Sequence, residues 1–297
     1  MAKNKLCVNW MVVVETFCQQ GLGNIEVQSK QHLDNIIDGV VEGNLNLASE
    51  AGLILPTYCE AKNIEEIICK IEELKLNLSI LVVDDSSPDG TANIVRRLQK
   101  KYKNIILLSR PKKMGLGTAI VDGFKLFLSL KKPPKFILTM DADHSHNPKE
   151  ILRLLASAKN GGYDLCVGSR YCHGGVVKNW SPIRRFISKT ANLIAKLVVG
   201  AGISDYTSGM RCYSIKLVRS ILHELHSQTY EIQIETVRLA NLKNLKIGEI
   251  PITFTNRKKG KSKLTLNEVK RFLFYVVKAI CQKIRLCLFN FWNMSYY

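Results

Sequence analysis

Short apolar runs alternate with amphipathic stretches along most of the chain. Residues 52–58 (GLILPTY) form one such run, interrupted by Pro56. Leu78-Ser79-Ile80-Leu81-Val82-Val83, Ile105-Ile106-Leu107-Leu108, Phe136-Ile137-Leu138 and residues 163–168 (YDLCVG) repeat the pattern. Runs of this length, apolar throughout and bounded by turn residues, predict strands buried on both faces. Between them the period lengthens. Ile64, Ile67, Ile68, Ile71 and Leu74 share one helical face behind Asn63, a capping residue type, and Ile94, Val95, Leu98 and Tyr102 share another. Asn147-Pro148-Lys149-Glu150 predicts a helix start, with Asn147 as cap, Pro148 in the first position and Glu150 reaching back; the helix runs to about Ala158. Strands alternating with helices predict a doubly wound α/β sheet, mostly parallel.

The pattern changes at both ends. From His32 to Val41, apolar residues at 33, 36, 37, 40 and 41 have helical spacing. Ser181-Pro182 predicts a helix start, with Arg184, Arg185 and Lys189 beside Phe186, Ile187, Leu193, Ile194, Leu197 and Val198, a pattern that fits equally a membrane surface and a helix packed on the core with solvated charges. A further helix runs from Tyr230-Glu231-Ile232-Gln233-Ile234-Glu235 to Leu242. A strand follows from Lys246 to Thr255, with Pro251 marking an edge or bulge. From Leu264 to Trp292, apolar and aromatic residues are interrupted by lysines and arginines, which predicts a helix lying in a lipid interface, with a dimer face as the rival reading. The chain thus reads as an N-terminal extension over 1–50, an α/β domain over 51–263 and an amphipathic C-terminal segment over 264–297.

Charge narrows the partners. The 297 residues carry 43 Lys+Arg against 25 Asp+Glu, a net +18. Such an excess selects anionic partners: phosphorylated substrates, an acidic membrane face or nucleic acid. No nucleic-acid module or interleaved aromatic platform accompanies the charge, so nucleic acid is not an expected partner. The nine cysteines are odd in number and contain no C-x-x-C pair, which points to a reducing compartment and away from a zinc site or disulfide framework. Residues 1–20 do not read as a signal peptide, and no run approaches the roughly 20 apolar residues of a membrane span.

The densest chemistry is in residues 135–150, KFILTMDADHSHNPKE. Asp141 and Asp143, two apart at a strand's end, point the same way. Adjacent carboxylates repel unless a cation lies between them, and a hard divalent ion with oxygen ligands meets that need. The turn leads into a helix, the place where open α/β sheets bind ligands. His144 and His146 flank it as solvent-exposed side chains. Gly115-Leu116-Gly117 suggests a dinucleotide fingerprint, but Ile120 stands at the third glycine position and the loop follows the third strand. A loop that lets backbone approach closely is expected there instead.

Eight motifs then stand in order: PTYCEAKNI, VVDDSSPDGT, GLGTAIVDGFK, MDADHSHNP, VGSRY, DYTSGMRCY, YEIQIE and IPITFTNRKKGKSK. Together they resemble the family 2 glycosyltransferases that act on polyprenyl phosphates, the dolichyl-phosphate mannosyltransferases in particular, over residues 52–263. The resemblance implies a GT-A fold, a sugar-nucleotide donor (GDP-mannose), and a divalent cation, Mg or Mn, held at Asp141 and Asp143 with Ser145 as third ligand. It places Pro56, Tyr58, Glu60, Asp84, Asp85 and Lys263 with the sugar nucleotide, and Arg170, Arg184 and Arg257 at the diphosphate and the lipid phosphate. Cys59 replaces the usual Asn of its motif. The implied reaction is inverting transfer of mannose to a polyprenyl phosphate at the cytoplasmic face of a membrane. The chain would associate peripherally or through a separate membrane subunit. The alternative is a family 2 enzyme that uses UDP-glucose or glycosylates a polysaccharide or other hydroxyl; for that chemistry Asp205 is the candidate base.

Overall fold

The computed structural model describes residues 37–257, 270–272 and 274–281. The chain divides into two compact units, 1–38 and 39–297, and only Ile37 and Asp38 of the first are described. In the second unit the elements run β1 (Val40–Gly43), β2 (Ala51–Thr57), α1 (Ile64–Glu72), β3 (Leu78–Asp84), α2 (Thr91–Lys101), β4 (Ile105–Ser109), α3 (Leu116–Ser129) and β5 (Phe136–Thr139). Then come α4 (Glu150–Gly161), β6 (Leu165–Ser169), β7 (Val176–Lys178), α5 (Pro182–Val199), β8 (Arg211–Ser214), α6 (Ile215–Ile221), α7 (Ile232–Leu242), β9 (Ile247–Pro251) and β10 (Thr253–Thr255). Residues 270–272 and 274–281 are helical.

Eight strands form one sheet in the order β1-β4-β3-β2-β5-β8-β6-β9. β4, β3, β2 and β5 are parallel, β8 runs antiparallel to both its neighbours, and β6 pairs parallel with β9. The chain moves outward from β2 through β3 to β4, then returns to β5 on the other side of β2. This reversal makes a switch point at the carboxyl ends of β2 and β5. Thr57, Asp84 and Ser109 are register partners, so the strands end level there. The apolar runs explain the sheet: every residue of β3 is buried. The inward ridges of α1, α2 and α4 cover one face, where Leu53, Leu55, Ile80, Val82, Leu138 and Cys166 join their cluster.

Four expectations need correction. The helix expected over 32–41 is not formed at its carboxyl end: Val40–Gly43 is a strand, antiparallel to β4. Residues 32–36 lie outside the described residues. At Val40–Gly43 pairing along β4's edge overrides the helical spacing. β1 also brings the sheet's start to Val40, ahead of residue 51. Asn63 does not cap α1; its side-chain amide donates to Glu60 Oε2 at 2.7 Å, and the Glu60 carbonyl receives the first helical N–H groups. At α4, Asn147 Oδ1 accepts from Lys149 N, but Glu150 turns to Arg153 instead of reaching back. The strand expected over 246–255 is two strands. β9 stays in the main sheet, while β10 pairs with β7 in a separate two-stranded sheet. Lys263 and most of 264–292 lie outside the described residues.

Candidate active site

Three turns meet at the switch point, and each contains a non-glycine residue in the left-handed region: Cys59 after β2, Ser86 after β3 and His144 after β5. Such backbone persists where surrounding bonds hold it in place, and it concentrates at ligand sites. The bonds are present. Asp84 accepts from Thr57 Oγ1 (2.8 Å), Ser87 Oγ (2.6 Å) and Ser87 N (2.9 Å). Asp85 accepts from Arg110 Nε at 2.6 Å and from the N–H groups of Met114 and Gly115 at 3.1 Å each. Both carboxylates are therefore buried scaffold of these turns, accepting hydrogen bonds from within the protein. Glu60 is buried and braces Asn63, while Tyr58 lies under the Lys113 ammonium, 4.5 Å from its ring centre. Pro56 sits in β2 opposite Val83.

At the end of β5, Asp141 is about one-third exposed (35%) and Asp143 is buried. Burial opposes ionisation of Asp141, yet the His146 imidazole beside it, with Arg257 and Arg170 beyond, holds the carboxyl below the usual range. His146 Nε2 stands 3.4 Å from Asp141 Oδ2. His146 is buried, with its ring edge-to-face on Phe254 at 5.0 Å, and His144 Nε2 lies 3.3 Å from Glu66 Oε2; neither is the solvent-exposed side chain expected. Asp143 Oδ1 accepts from Ser145 N at 3.0 Å and from Ser145 Oγ; Asp143 Oδ2 meets Arg257 Nη2 at 3.0 Å. Ser145 thus orients Asp143 in this geometry.

The donor set suits a hard divalent cation. Asp141 faces Gly209, where a Cβ would stand 3.1 and 3.3 Å from the two carboxylate oxygens, so the missing side chain leaves room at the acid. Among the described residues no third His, Cys, Asp or Glu completes a ligand cluster. Two carboxylates supplemented by water and substrate phosphate oxygens are a typical Mg-type arrangement.

A cationic wall stands opposite. Arg170, at the end of β6, is buried and clamps Asp205 bidentately, Nε to Oδ2 at 2.7 Å and Nη2 to Oδ1 at 2.8 Å. Asp205 is wholly buried and also accepts from Arg170 N and Thr207 N. Burial opposes its charge, but Arg170 outweighs it and lowers the carboxyl's pKa. In this geometry its oxygens are taken up by Arg170 and Thr207, and it braces Arg170. Arg184, on the first turn of α5, stacks on Trp180 (4.2 Å) and donates to Asn256 Oδ1 at 2.8 Å. Its pKa is pushed down by burial and by the charges of Arg257 and Arg170. Like charges held this close mark a seat for an anion. β10 brings the wall to the acidic turn. Thr255 N bonds to Ser145 O, Phe254 packs between His146 and Trp180, and Arg257 follows two residues on. Among the predicted residues, Asp141, Asp143, Ser145, Arg170, Arg184 and Arg257 are brought together; Pro56 and Asp84 lie at the adjoining strand ends, and Tyr58, Glu60 and Asp85 in the turns that follow.

Sequence reasoning missed Arg110, Arg211 and His146. Arg110 is buried and ties Asp85 to Thr118 Oγ1 and Gly115 O. Arg211 fixes the 205–210 loop, bonding the carbonyls of Tyr206, Ser208 and Gln233. The glycines of GLG admit backbone, as expected, but the backbone is the protein's own: a Cβ on Gly115 or Gly117 would lie 2.5 and 2.4 Å from the carbonyls of Gln228 and Ser227. Glu231 and Glu235 hold that crossing loop by accepting its N–H groups.

The chain is similar to solved structures that fix the fold. Glucosyl-3-phosphoglycerate synthase of Mycobacterium tuberculosis, bound to Mn2+, UDP and glucosyl-3-phosphoglycerate, superposes with TM-score 0.57 at 15% identity, covering 89% of this chain and 85% of that one. A mannosyltransferase of Pyrobaculum calidifontis, in complex with GDP-Man and Mn2+, gives TM-score 0.53 at 16% identity over 87% and 71% of the respective chains. The arrangement is the expected GT-A fold. Polyprenol monophosphomannose synthase of Mycolicibacterium smegmatis is 37% identical over 228 residues, 76% of this chain and 85% of that protein. Residues 53–222 match the family described as Glycosyl transferase family 2. Those residues run from β2 past the 205–210 loop and contain both acids and two of the three arginines, so the chain belongs to glycosyl transferase family 2, and it is a glycosyltransferase.

Proposed function

We propose that the chain transfers mannose from GDP-mannose to a polyprenyl monophosphate, inverting the anomeric centre, at the cytoplasmic face of a membrane. Mannose and the polyprenyl carrier are supported by the 37% identical relative. The structural neighbours divide between UDP and GDP, so the choice of GDP rests on the motif resemblance and the mannosyl relative. Asp141 and Asp143 would hold Mg or Mn, which when bound neutralises charge building on the departing diphosphate. The observation that carries the proposal is the state of Asp205. A hydroxyl acceptor needs a base, and the acid nearest the cationic wall is sealed behind Arg170 with its oxygens filled. A phosphate monoester is already ionised at neutral pH and needs none.

The chain's own residues then act by alignment and charge. The anomeric carbon–oxygen bond to the donor's β-phosphate breaks with its electron pair, and an acceptor phosphate oxygen forms the new bond from the opposite face. Arg170 and Arg184 meet the acceptor phosphate; Arg257, already beside Asp143, meets the leaving diphosphate. Trp180 and Phe254 hold the guanidinium planes and keep water from the seat. Among the described residues no helix is long and apolar enough to cross a membrane. Peripheral docking is supported by α5, which exposes Ile183, Phe186, Ile187, Leu193 and Leu197.

The test is incubation of the purified chain with a panel of labelled sugar nucleotides and polyprenyl phosphate. Organic-extractable, mild-acid-labile label from GDP-mannose is the expected result. Label from UDP-glucose alone, or label that stays in the aqueous phase with every donor, overturns the proposal.

A further inference from the structure

α5 presents three faces, and the third is unexplained. One face is buried with Asn192, Ala195 and Val199. A second is the exposed apolar stripe. Arg185, Lys189 and Lys196 occur at spacings of four and seven, within a narrow arc about 100° around the helix from that stripe. This basic row borders a cleft of ≈ 560 Å³ whose other rim is Arg170, Tyr171, Gly175, Val176 and Val177. Arg185 Nη2 reaches across to Val177 O at 3.2 Å. Ser204 closes one end, and its N–H and hydroxyl occupy the Glu249 carboxylate at 2.9 Å each. Among the described residues no carboxylate pairs with Arg185, Lys189 or Lys196. Arg184 faces away from it, toward Trp180 and Asn256, while Arg170 borders both, so the cleft adjoins the acceptor seat without sharing its Arg184 side.

A cationic cleft beside an exposed apolar stripe on one helix matches an amphiphile with an anionic head and an apolar tail. We propose that this cleft seats the headgroup phosphate of an anionic phospholipid of the supporting bilayer, with Leu193 and Leu197 dipping into the acyl region beside it. The inference rests on the reading that α5 lies on a membrane. It goes beyond that reading by assigning a lipid class and a site beside the acceptor's, whose basic row of Arg185, Lys189 and Lys196 the acceptor seat does not use.

The experiment is co-sedimentation of the full chain with phosphatidylcholine vesicles, with and without phosphatidylglycerol. The cleft variant Arg185→Ser/Lys189→Ser/Lys196→Ser is compared with Lys100→Ser/Lys101→Ser/Lys103→Ser, which removes equal charge from an exposed region elsewhere. Each basic side chain near an anionic surface contributes about fivefold to partitioning. The wild type should prefer phosphatidylglycerol, and the cleft variant should lose about a hundredfold of that preference. The control should keep it, binding to neutral vesicles should be equal for all three, and transfer to detergent-dispersed polyprenyl phosphate should be unchanged. A cleft variant indistinguishable from the control overturns the site, as does displacement by excess glycerol phosphate, which would make it a seat for soluble phosphate. Loss of transfer in detergent also overturns it, by showing that the cleft holds the acceptor. Equal wild-type binding to both vesicle types overturns the inference and leaves membrane docking intact; binding to neither overturns both.

Discussion

Asp205 shows how burial changes what an acid can do. Its bidentate pair with Arg170 has no solvent on the carboxylate side. Removing one partner of such a pair leaves an uncompensated charge, at a cost of about 3–5 kcal/mol. Asp205→Asn should therefore lower stability by that order in a denaturant melt, with activity lost through Arg170; a variant that is fully stable yet inactive would restore Asp205 as a base. The pH dependence follows with a definite sign. The folded carboxyl lies below its usual value, so its contribution is present above the unfolded pKa of about 3.9 and is lost as pH falls further toward the folded value. Thermal midpoints measured from about pH 5 down to pH 3 should fall more steeply for the wild type than for Asp205→Asn. At Gly209 the expectation differs. Gly209→Ala puts a methyl 3.1 Å from Asp141 and should weaken apparent Mn affinity on the order of 10–100-fold, with little change in melting. Calorimetric titration of Mn checks this, and unchanged affinity refutes it. Asp141, Asp143 and the three arginines were legible because they stand in short motifs. Arg110 and Arg211 were not, because their partners come from other elements: Arg110 reaches back to Asp85, and Arg211 reaches forward to Gln233; His146 shares a motif with Asp141, but its burial depends on Phe254 of β10. Local sequence carries no trace of such pairings.

At the scale of elements, strands with continuous apolar runs were readable from their short length and the turn residues that bound them, since burial on both faces leaves no alternation to read. β10 was not. Three residues cannot set a period, and what defines Thr253–Thr255 is its pairing with Val176–Lys178, some 77 residues earlier. Yet this strand delivers Arg257 to Asp143. The α5 helix was legible from its amphipathic spacing and its Ser181 cap, which accepts from Arg184 N. What pattern alone left open was whether the apolar residues face the core, and Phe186 at 72% and Leu197 at 71% exposure settle that they do not. Phe186→Ser and Leu197→Ser should each lower partitioning to vesicles on the order of tenfold. Stability should stay within about 0.5 kcal/mol, because neither side chain packs in the fold. Vesicle flotation beside a melt separates the two effects; an unfolded variant, or one that floats as well as wild type, contradicts the assignment.

Over the whole molecule, a net +18 becomes intelligible once the charges are placed. Arg170, Arg184 and Arg257 converge on one seat beside two carboxylates, and α5 carries further basic residues along an apolar face. On the proposed function, donor, acceptor and bilayer surface are all anionic, so one sign of charge would serve recognition of all three. The acids that remain at the site are engaged in bracing or orienting within the protein, which leaves the acceptor to bring its own negative charge. The most direct test offers the purified chain, with labelled GDP-mannose and Mn2+, two acceptors that differ in one group: a polyprenyl monophosphate and the corresponding polyprenol. Label passing to the phosphate and not to the alcohol is the predicted result. Comparable transfer to the alcohol would show that a base is at work, and would contradict the account.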